Sequence, residues 1–301
     1  MQTVWFRKCS YSSRNYDPFP KDLISCRLLS PCEAVVPYVK EMIRRFSADL
    51  TLVHAYGPYT FVYHDLLITD PDLAEKMRAQ EKRRLQEFAL ETFPGQHVEC
   101  FAELGEAGSV IHKIVQHQGT DLVMLSTHGW GPIRRFLLGS VAAKVLHDIG
   151  APILTGSGAA LTDHEPQIPY RSVVCALDDS DEAEGVLKAA AALAGHYQAQ
   201  LWLVHVVESP PATRQMVFNT YKKELMNAAD FRLRELKGQL GVNAPHAVID
   251  AMVADGVCEE AVRRKADLII TGRGSAQGTF SRMWSHVYPI VREAPCPVLS
   301  I

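Results

Sequence analysis

A chain of 301 residues with a formal net charge of −3 has no basic field for wrapping nucleic acid, so only small anions held by local groups remain as polyanion-like partners. No apolar run approaches the roughly 20 residues of a membrane span and no apolar signal-peptide core is present, so a cytoplasmic location is the default. Seven cysteines, widely spread and without a Cys-x-x-Cys pair, read as reduced thiols, and the twelve histidines lack metal-site spacing.

In chain order, residues 1–22, with Tyr11-Ser12-Ser13-Arg14-Asn15-Tyr16-Asp17-Pro18, show neither helical nor strand periodicity and read as a poorly ordered extension. Leu23 to Leu29 takes the place of a first strand but lacks a clean β-branched run. A helix is then expected from about Glu33 to Phe46, a strand from Leu50 to Tyr56 and a helix from about Asp70 to Phe93. A strand over Val98 to Ala102, a helix over Ala107 to His117 and a strand over Leu122 to Ser126 follow. A helix from Ser140 to His147 and a strand from Ile153 to Thr155 close this half. Gly156-Ser157-Gly158-Ala159-Ala160 and the polar stretch to Pro169 read as a linker, residues 156–169.

Beyond the linker, Ser172 to Leu177 reads as a strand, Asp181 to Tyr197 as a helix and Gln200 to Val207 as a strand. A long helix is expected from about Ala212 to Leu240, a strand over Ala247 to Met252 and a helix over Val257 to Lys265. The strand Asp267 to Thr271, a helix from about Met283 to Glu293 and a last strand, Pro297 to Ile301, complete the set. The chain is thus written twice. Leu50-Thr51-Leu52-Val53-His54 returns as Leu201-Trp202-Leu203-Val204-His205, Asp121-Leu122-Val123-Met124-Leu125 as Asp267-Leu268-Ile269-Ile270-Thr271, and Ala151-Pro152-Ile153-Leu154 as Cys296-Pro297-Val298-Leu299. Three runs in one order at nearly one spacing indicate a duplicated globular unit, residues 23–155 and 170–301. Alternating β-branched runs and helical patterns indicate βαβ crossovers, hence an α/β fold of two tandem five-stranded parallel-sheet domains with helices on both faces. His54 and His205, recurring at the ends of equivalent runs, read as structural rather than as ligands.

The most informative local segment is Ser126-Thr127-His128-Gly129, nine residues, then Gly139-Ser140. It joins a strand to a helix, where an open parallel sheet places its ligand crevice. Gly129 and Gly131 let the backbone turn close to a ligand, and the helix opening at Gly139, Ser140 and Val141 presents unpaired N–H groups to phosphate oxygens. An ordinary glycine loop with a serine cap is the alternative reading. This run, with Phe136-Leu137-Leu138 and Val141-Ala142-Ala143-Lys144-Val145-Leu146, resembles the phosphate-loop signature of the universal stress protein family, Gly-x-x-Gly, nine residues, Gly-Ser/Thr. The strands Pro152-Ile153-Leu154 and Pro297-Val298-Leu299 are similar to that family's last strand. The resemblance covers about 23–301. It implies an adenine-nucleotide α-hydrolase-like domain with strand order 3-2-1-4-5, ATP or AMP as ligand in some members, Mg²⁺ accompanying ATP, and a role that is not usually catalytic.

Each half departs from that pattern. In the first, Ser126 replaces a glycine, and the aspartate that the family places after the first strand falls on Arg27 or Leu28, which cannot accept from ribose hydroxyls. The strand has drifted, or the start of the chain differs from the natural reading frame; sequencing the locus and its transcript tests this. In the second, Asp178 stands where that aspartate is expected, yet Gly272-Arg273-Gly274 opens a degenerate loop in which Trp284-Ser285 replaces Gly139-Ser140. Arg273 reads as solvated or as a partial compensation toward an anion. Arg134 and Arg135 favour phosphate or keep the first loop soluble.

Three function classes follow. One is a stress-response regulator binding adenine nucleotide mainly through the first half. Another is a nucleotide-free interaction module with both crevices degenerate. The third is an ATP-hydrolysing or adenylyl-transferring enzyme, for which no Gly-x-x-x-x-Gly-Lys-Ser/Thr loop or flanking carboxylate pair is found. The last strand of each half, short and β-branched, suggests that the two halves pair with each other as a symmetric dimer would, and a regulated protein partner is left open.

Overall fold

The computed structural model describes residues 22–25, 35–57, 71–127, 138–156, 168–208, 215–273 and 286–301. The chain divides into two compact units, 1–156 and 157–301. In the first, in chain order, lie β1 (Asp22–Ser25), α1 (Val36–Phe46), β2 (Asp49–Tyr56), α2 (Pro71–Thr92), β3 (Val98–Leu104), α3 (Ala107–Gln118), β4 (Val123–Ser126), α4 (Ser140–Asp148) and β5 (Ile153–Gly156). The second holds β6 (Ser172–Ala176), α5 (Ala183–Tyr197), β7 (Gln200–Val207), α6 (Gln215–Leu240), β8 (His246–Asp250), α7 (Val253–Arg263), β9 (Leu268–Thr271), α8 (Tyr288–Glu293) and β10 (Val298–Ser300).

Each unit forms a parallel sheet in the order 3-2-1-4-5: β3-β2-β1-β4-β5 in domain 1 and β8-β7-β6-β9-β10 in domain 2. The inner strands read as they do because helices cover both faces. Every residue of β4, β5, β9 and β10 is buried, and seven of the eight residues of β2 are. A strand buried on both faces carries a continuous apolar run, and each fully buried Leu or Ile contributes about 1.5–3 kcal/mol. Edge strand β8 is only half-buried along its length.

The weak segment at the start of the chain is the central strand of its sheet. Asp22, Leu23 and Ile24 register against Asp49, Leu50 and Thr51 of β2, and Ile24 and Ser25 against Val123 and Met124 of β4. Position between two strands replaces β-propensity here, because pairing on both sides holds a sequence that would not declare itself alone.

Helix α7 begins at Val253, four residues before the expected Val257, and ends at Arg263 rather than Lys265. Gly256 suggests a boundary in the sequence, but it is a packing residue inside the helix. A Cβ there would lie 2.9 Å from Val206 Cγ2 of β7, so the helix approaches the sheet only because that carbon is absent. The preceding strand correspondingly ends at Asp250, not Met252. The expected extension over residues 1–21 and the linker residues 157–167 lie outside the described residues.

The paired histidines have separate structural partners. His54 is fully buried on β2, with Nε2 3.4 Å from Glu81 Oε2 on α2. His205 donates from Nδ1 to the Leu177 carbonyl at 3.0 Å, tying β7 to the chain leaving β6.

Candidate functional site

In both domains the carboxyl ends of the central strands converge where a parallel sheet positions a crevice. In domain 1, β4 ends at Ser126 and the chain passes to Thr127, both buried. Thr127 joins three elements: its N–H and hydroxyl both donate to the Gly156 carbonyl at the end of β5, at 3.2 and 2.9 Å, and its carbonyl accepts from Gly139 N–H at 2.9 Å. The last bond closes the loop, bringing its two ends together at the sheet edge. The Thr127 hydroxyl proton is therefore directed inward, toward protein.

Gly139 is the N-cap of α4, with extended backbone (φ −61°, ψ 143°) and no side chain capping the helix. Helix α3, in the same domain, is the opposite case. Its N-cap Glu106 accepts from Gly108 N–H at 2.8 Å and Ser109 N–H at 2.9 Å. The first amides of a helix have no intrahelical acceptor, and in α3 a carboxylate takes them. At α4 the amides of Ser140, Val141 and Ala142 find no acceptor among the described residues, and Ser140 is exposed. Ser126, Thr127, Gly139, Ser140 and Val141 are thus brought together at one sheet edge; His128, Gly129 and Gly131 lie outside the described residues.

A charged clasp also joins α4 to the start of α3. Lys144 of α4 reaches Glu106 Oε2 and Ser109 Oγ of α3, each at 3.0 Å. Partial burial raises the Glu106 pKa, but the Gly108 amide, the Ser109 hydroxyl, Lys144 and the Ser109 amide prevail and hold it down at about 2. Beside it, Gly105 has φ +150° and Val110 Cγ2 would lie 3.2 Å from any added Cβ, so this strand tip requires glycine.

Backbone register fixes the equivalence between the halves. Arg273 N–H donates to the Ile301 carbonyl at 3.0 Å as Thr127 N–H does to Gly156, so Arg273 is the counterpart of Thr127 and Gly272 of Ser126. Gly272 thus stands where the first half has serine. Gly274 and Trp284 lie outside the described residues. A Cβ on Gly272 would meet Val186 Cγ2 of α5 at 3.1 Å, which gives this glycine a packing role. Asp178 follows β6 and is exposed; its Oδ1 accepts from Ser180 N–H at 3.1 Å and from Ser180 Oγ at 2.5 Å.

Around these residues domain 2 holds a cavity of about 330 Å³ at the tips of β6, β7 and β9, a volume within the range of small-molecule sites. Its wall is aliphatic, with Val204, Val206, Val253 and Val257. Its polar lining is Asp178, His205, Glu208, Arg273 and His286, with the Arg232–Asp179 ion pair (2.8 Å) at one side. Burial lowers the Arg273 pKa to about 10 against the opposing pull of Glu182, leaving the guanidinium charged at neutral pH. Asp178, Gly272 and Arg273 were legible as site candidates, but Glu208, His286 and Arg232 were not. Glu208 is the residue after β7 and so could have been found from the strand end; Arg232 arrives from α6, distant in sequence.

The described cysteines are unsuited to nucleophilic work. Burial pushes Cys100 up to about 11 and, with Glu293 and Asp255 nearby, Cys258 up to about 12; Cys175 and Cys296 are raised further by burial. Among the described residues no group of three or more His, Cys, Asp or Glu could hold a metal ion, and no helix is long and apolar enough to cross a membrane.

The model of the universal stress protein family matches residues 29–155 and again 169–301. A universal stress protein of Thermus aquaticus is 30% identical over 135 residues, spanning 44% of this chain and 98% of the relative. One from Methanocaldococcus jannaschii is 24% identical over 140 residues, spanning 44% of this chain and 82% of the relative. The crystal structure of a universal stress protein from Archaeoglobus fulgidus superimposes with a TM-score of 0.60 at 18% identity, covering 91% of this chain and 92% of its own, a likeness of fold.

Proposed function

The chain belongs to the universal stress protein family, and from that premise we propose that it is a non-catalytic, cytoplasmic stress-response regulator holding ATP or AMP at the domain 1 glycine loop. The observation that carries this reading is the uncapped start of α4. The amides of Ser140, Val141 and Ala142 find no acceptor among the described residues, whereas the corresponding donors of α3 are taken by Glu106. Phosphate oxygens are the natural acceptors for such a terminus, and the closure of the loop by Gly139 on Thr127 supports it at the sheet edge. His128, Gly129 and Gly131 complete the proposed loop. Mg²⁺ would enter on the ATP phosphates, since the described residues offer it no ligand group of their own.

Asp178 and Gly272 line a second crevice whose described lining carries a net charge of −1, which disfavours a polyphosphate; Gly274 lies outside the described residues. The rival reading, a nucleotide-free interaction module, is favoured by Arg27 or Leu28 standing where an adenosine-binding carboxylate is expected. Titration calorimetry of the full chain with AMP and ATP separates the two. Binding near one per chain is expected; no heat and no melting shift at millimolar nucleotide would favour the interaction module.

A further inference from the structure

Among the described residues the domain 2 cavity differs from the matching place in domain 1 at two strand tips, and both differences are charges. Following β2 is Gly57, where β7 is followed by Glu208; following β4 is Thr127, whose register match, one residue beyond Gly272 at the end of β9, is Arg273. Both charged residues line the cavity. We propose that this crevice is a receptor for a small zwitterion of amino-acid type with an apolar side chain, its carboxylate held by Arg273 and its ammonium by Asp178 and Glu208.

The sheet sets the spacing. Arg273 and Asp178 follow adjacent strands, β9 and β6, and Glu208 follows β7 on the far side of β6. Adjacent strands lie about 4.8 Å apart, so the three tips span about 10 Å, the width of one small molecule, with the cation at one end and the carboxylates at the middle and the other end. The charge balance points the same way. Asp178, Asp179 and Glu208 oppose Arg232 and Arg273, leaving the described lining with a net charge of −1, which repels a polyanion and admits a zwitterion.

Arg273 is half-buried, and a guanidinium withdrawn from water binds a carboxylate more strongly than a solvated one. His286 adds an independent indication. Its Nδ1 is buried and finds no hydrogen-bond partner among the described residues, in a wall of the same cavity, and a bound ligand's polar head would supply one. The valine-rich remainder of the wall accommodates the apolar side chain. This site does not depend on the nucleotide reading of domain 1, and the two fail separately.

The test is calorimetry and thermal shift on the full chain with L-leucine, isopentylamine, isocaproate and AMP as probes. L-leucine is expected to bind and raise the melting temperature, and the two probes lacking one charge to bind about tenfold more weakly, the cost of one charge-assisted contact. Arg273→Gln should weaken L-leucine about tenfold. The exposed Glu208→Gln, which leaves the packing untouched, should do likewise and guards against misfolding of the first variant; Gly139→Trp should leave L-leucine binding unchanged. No response to L-leucine, equal responses to all three aliphatic probes, or AMP binding abolished by Arg273→Gln would overturn the proposal.

Discussion

Where β4 gives way to Thr127, a hydroxyl turns inward to stitch two strand ends together; at the matching point beyond β9, Arg273 reaches into a cavity instead. The two domains share strand order, the backbone bond that fixes this position, and a histidine at the end of the second strand. They differ in what the tips present. A duplicated sheet must keep its buried strands, because each packs against helices on both faces, but the residues just past the strands differ between the halves, a buried, bonded Thr127 in one and a half-buried, cavity-lining Arg273 in the other. One crevice has kept an open helix start and lost a carboxylate; the other has kept the carboxylate and acquired opposing charges.

Swapping the two tip residues is the harshest way to break this comparison. Thr127→Arg would push a long cation into a fully buried position and remove the bond to Gly156, costing about 3 kcal/mol in a chemical-denaturation experiment. A cost below about 1 kcal/mol would mean that the position tolerates solvent and that the stitch is incidental.

Gly139→Trp, which gives domain 1 the residue of its twin, sharpens the contrast at the helix start. Loss of about a hundredfold in AMP affinity by calorimetry is expected if the α4 amides bind phosphate, with the melting temperature little changed in the absence of ligand.

A smaller effect isolates the capped helix. Glu106→Gln keeps the shape but weakens the cap and the contact with Lys144, and as Glu106 is half-exposed the cost should be only about 1 kcal/mol. The folded carboxyl is held at about 2 against an ordinary value of 4.5, so its contribution is complete above about 4.5 and fades as pH falls toward 2. The melting-temperature gap between wild type and Glu106→Gln should therefore close through that window. A gap that stays constant down to pH 2 would show that the charge is not what the cap uses.

The reciprocal swap, Arg273→Thr, should be the mildest, within about 1 kcal/mol of wild-type stability, because a half-buried arginine lining a cavity gives up little packing. A larger loss would reassign Arg273 from ligand recognition to structure.

Much of this architecture was legible because buried parallel strands announce themselves. Leu122 to Leu125 and Leu268 to Ile270 have no polar interruption, and their repetition exposed the duplication. The strand at Asp22–Ser25 was harder, since pairing on both sides rather than composition makes it central. The early start of α7 was hidden by Gly256, where one residue type serves both helix ends and close packing. The site divided similarly. Gly139 and Ser140 could be proposed from loop spacing and Asp178 from the family resemblance, but Glu208 and Arg273 became meaningful only once strand register showed which tips correspond. Arg232 comes from a helix distant in sequence from every strand tip it joins.

The claim that domain 1 carries the nucleotide is tested most directly by counting ligand in three proteins. Calorimetry with AMP on wild type, Gly139→Trp and Asp178→Ala should give one site per chain, a severely weakened site, and one unaltered site, respectively. Binding that survives Gly139→Trp and disappears with Asp178→Ala would contradict it and move the nucleotide to domain 2.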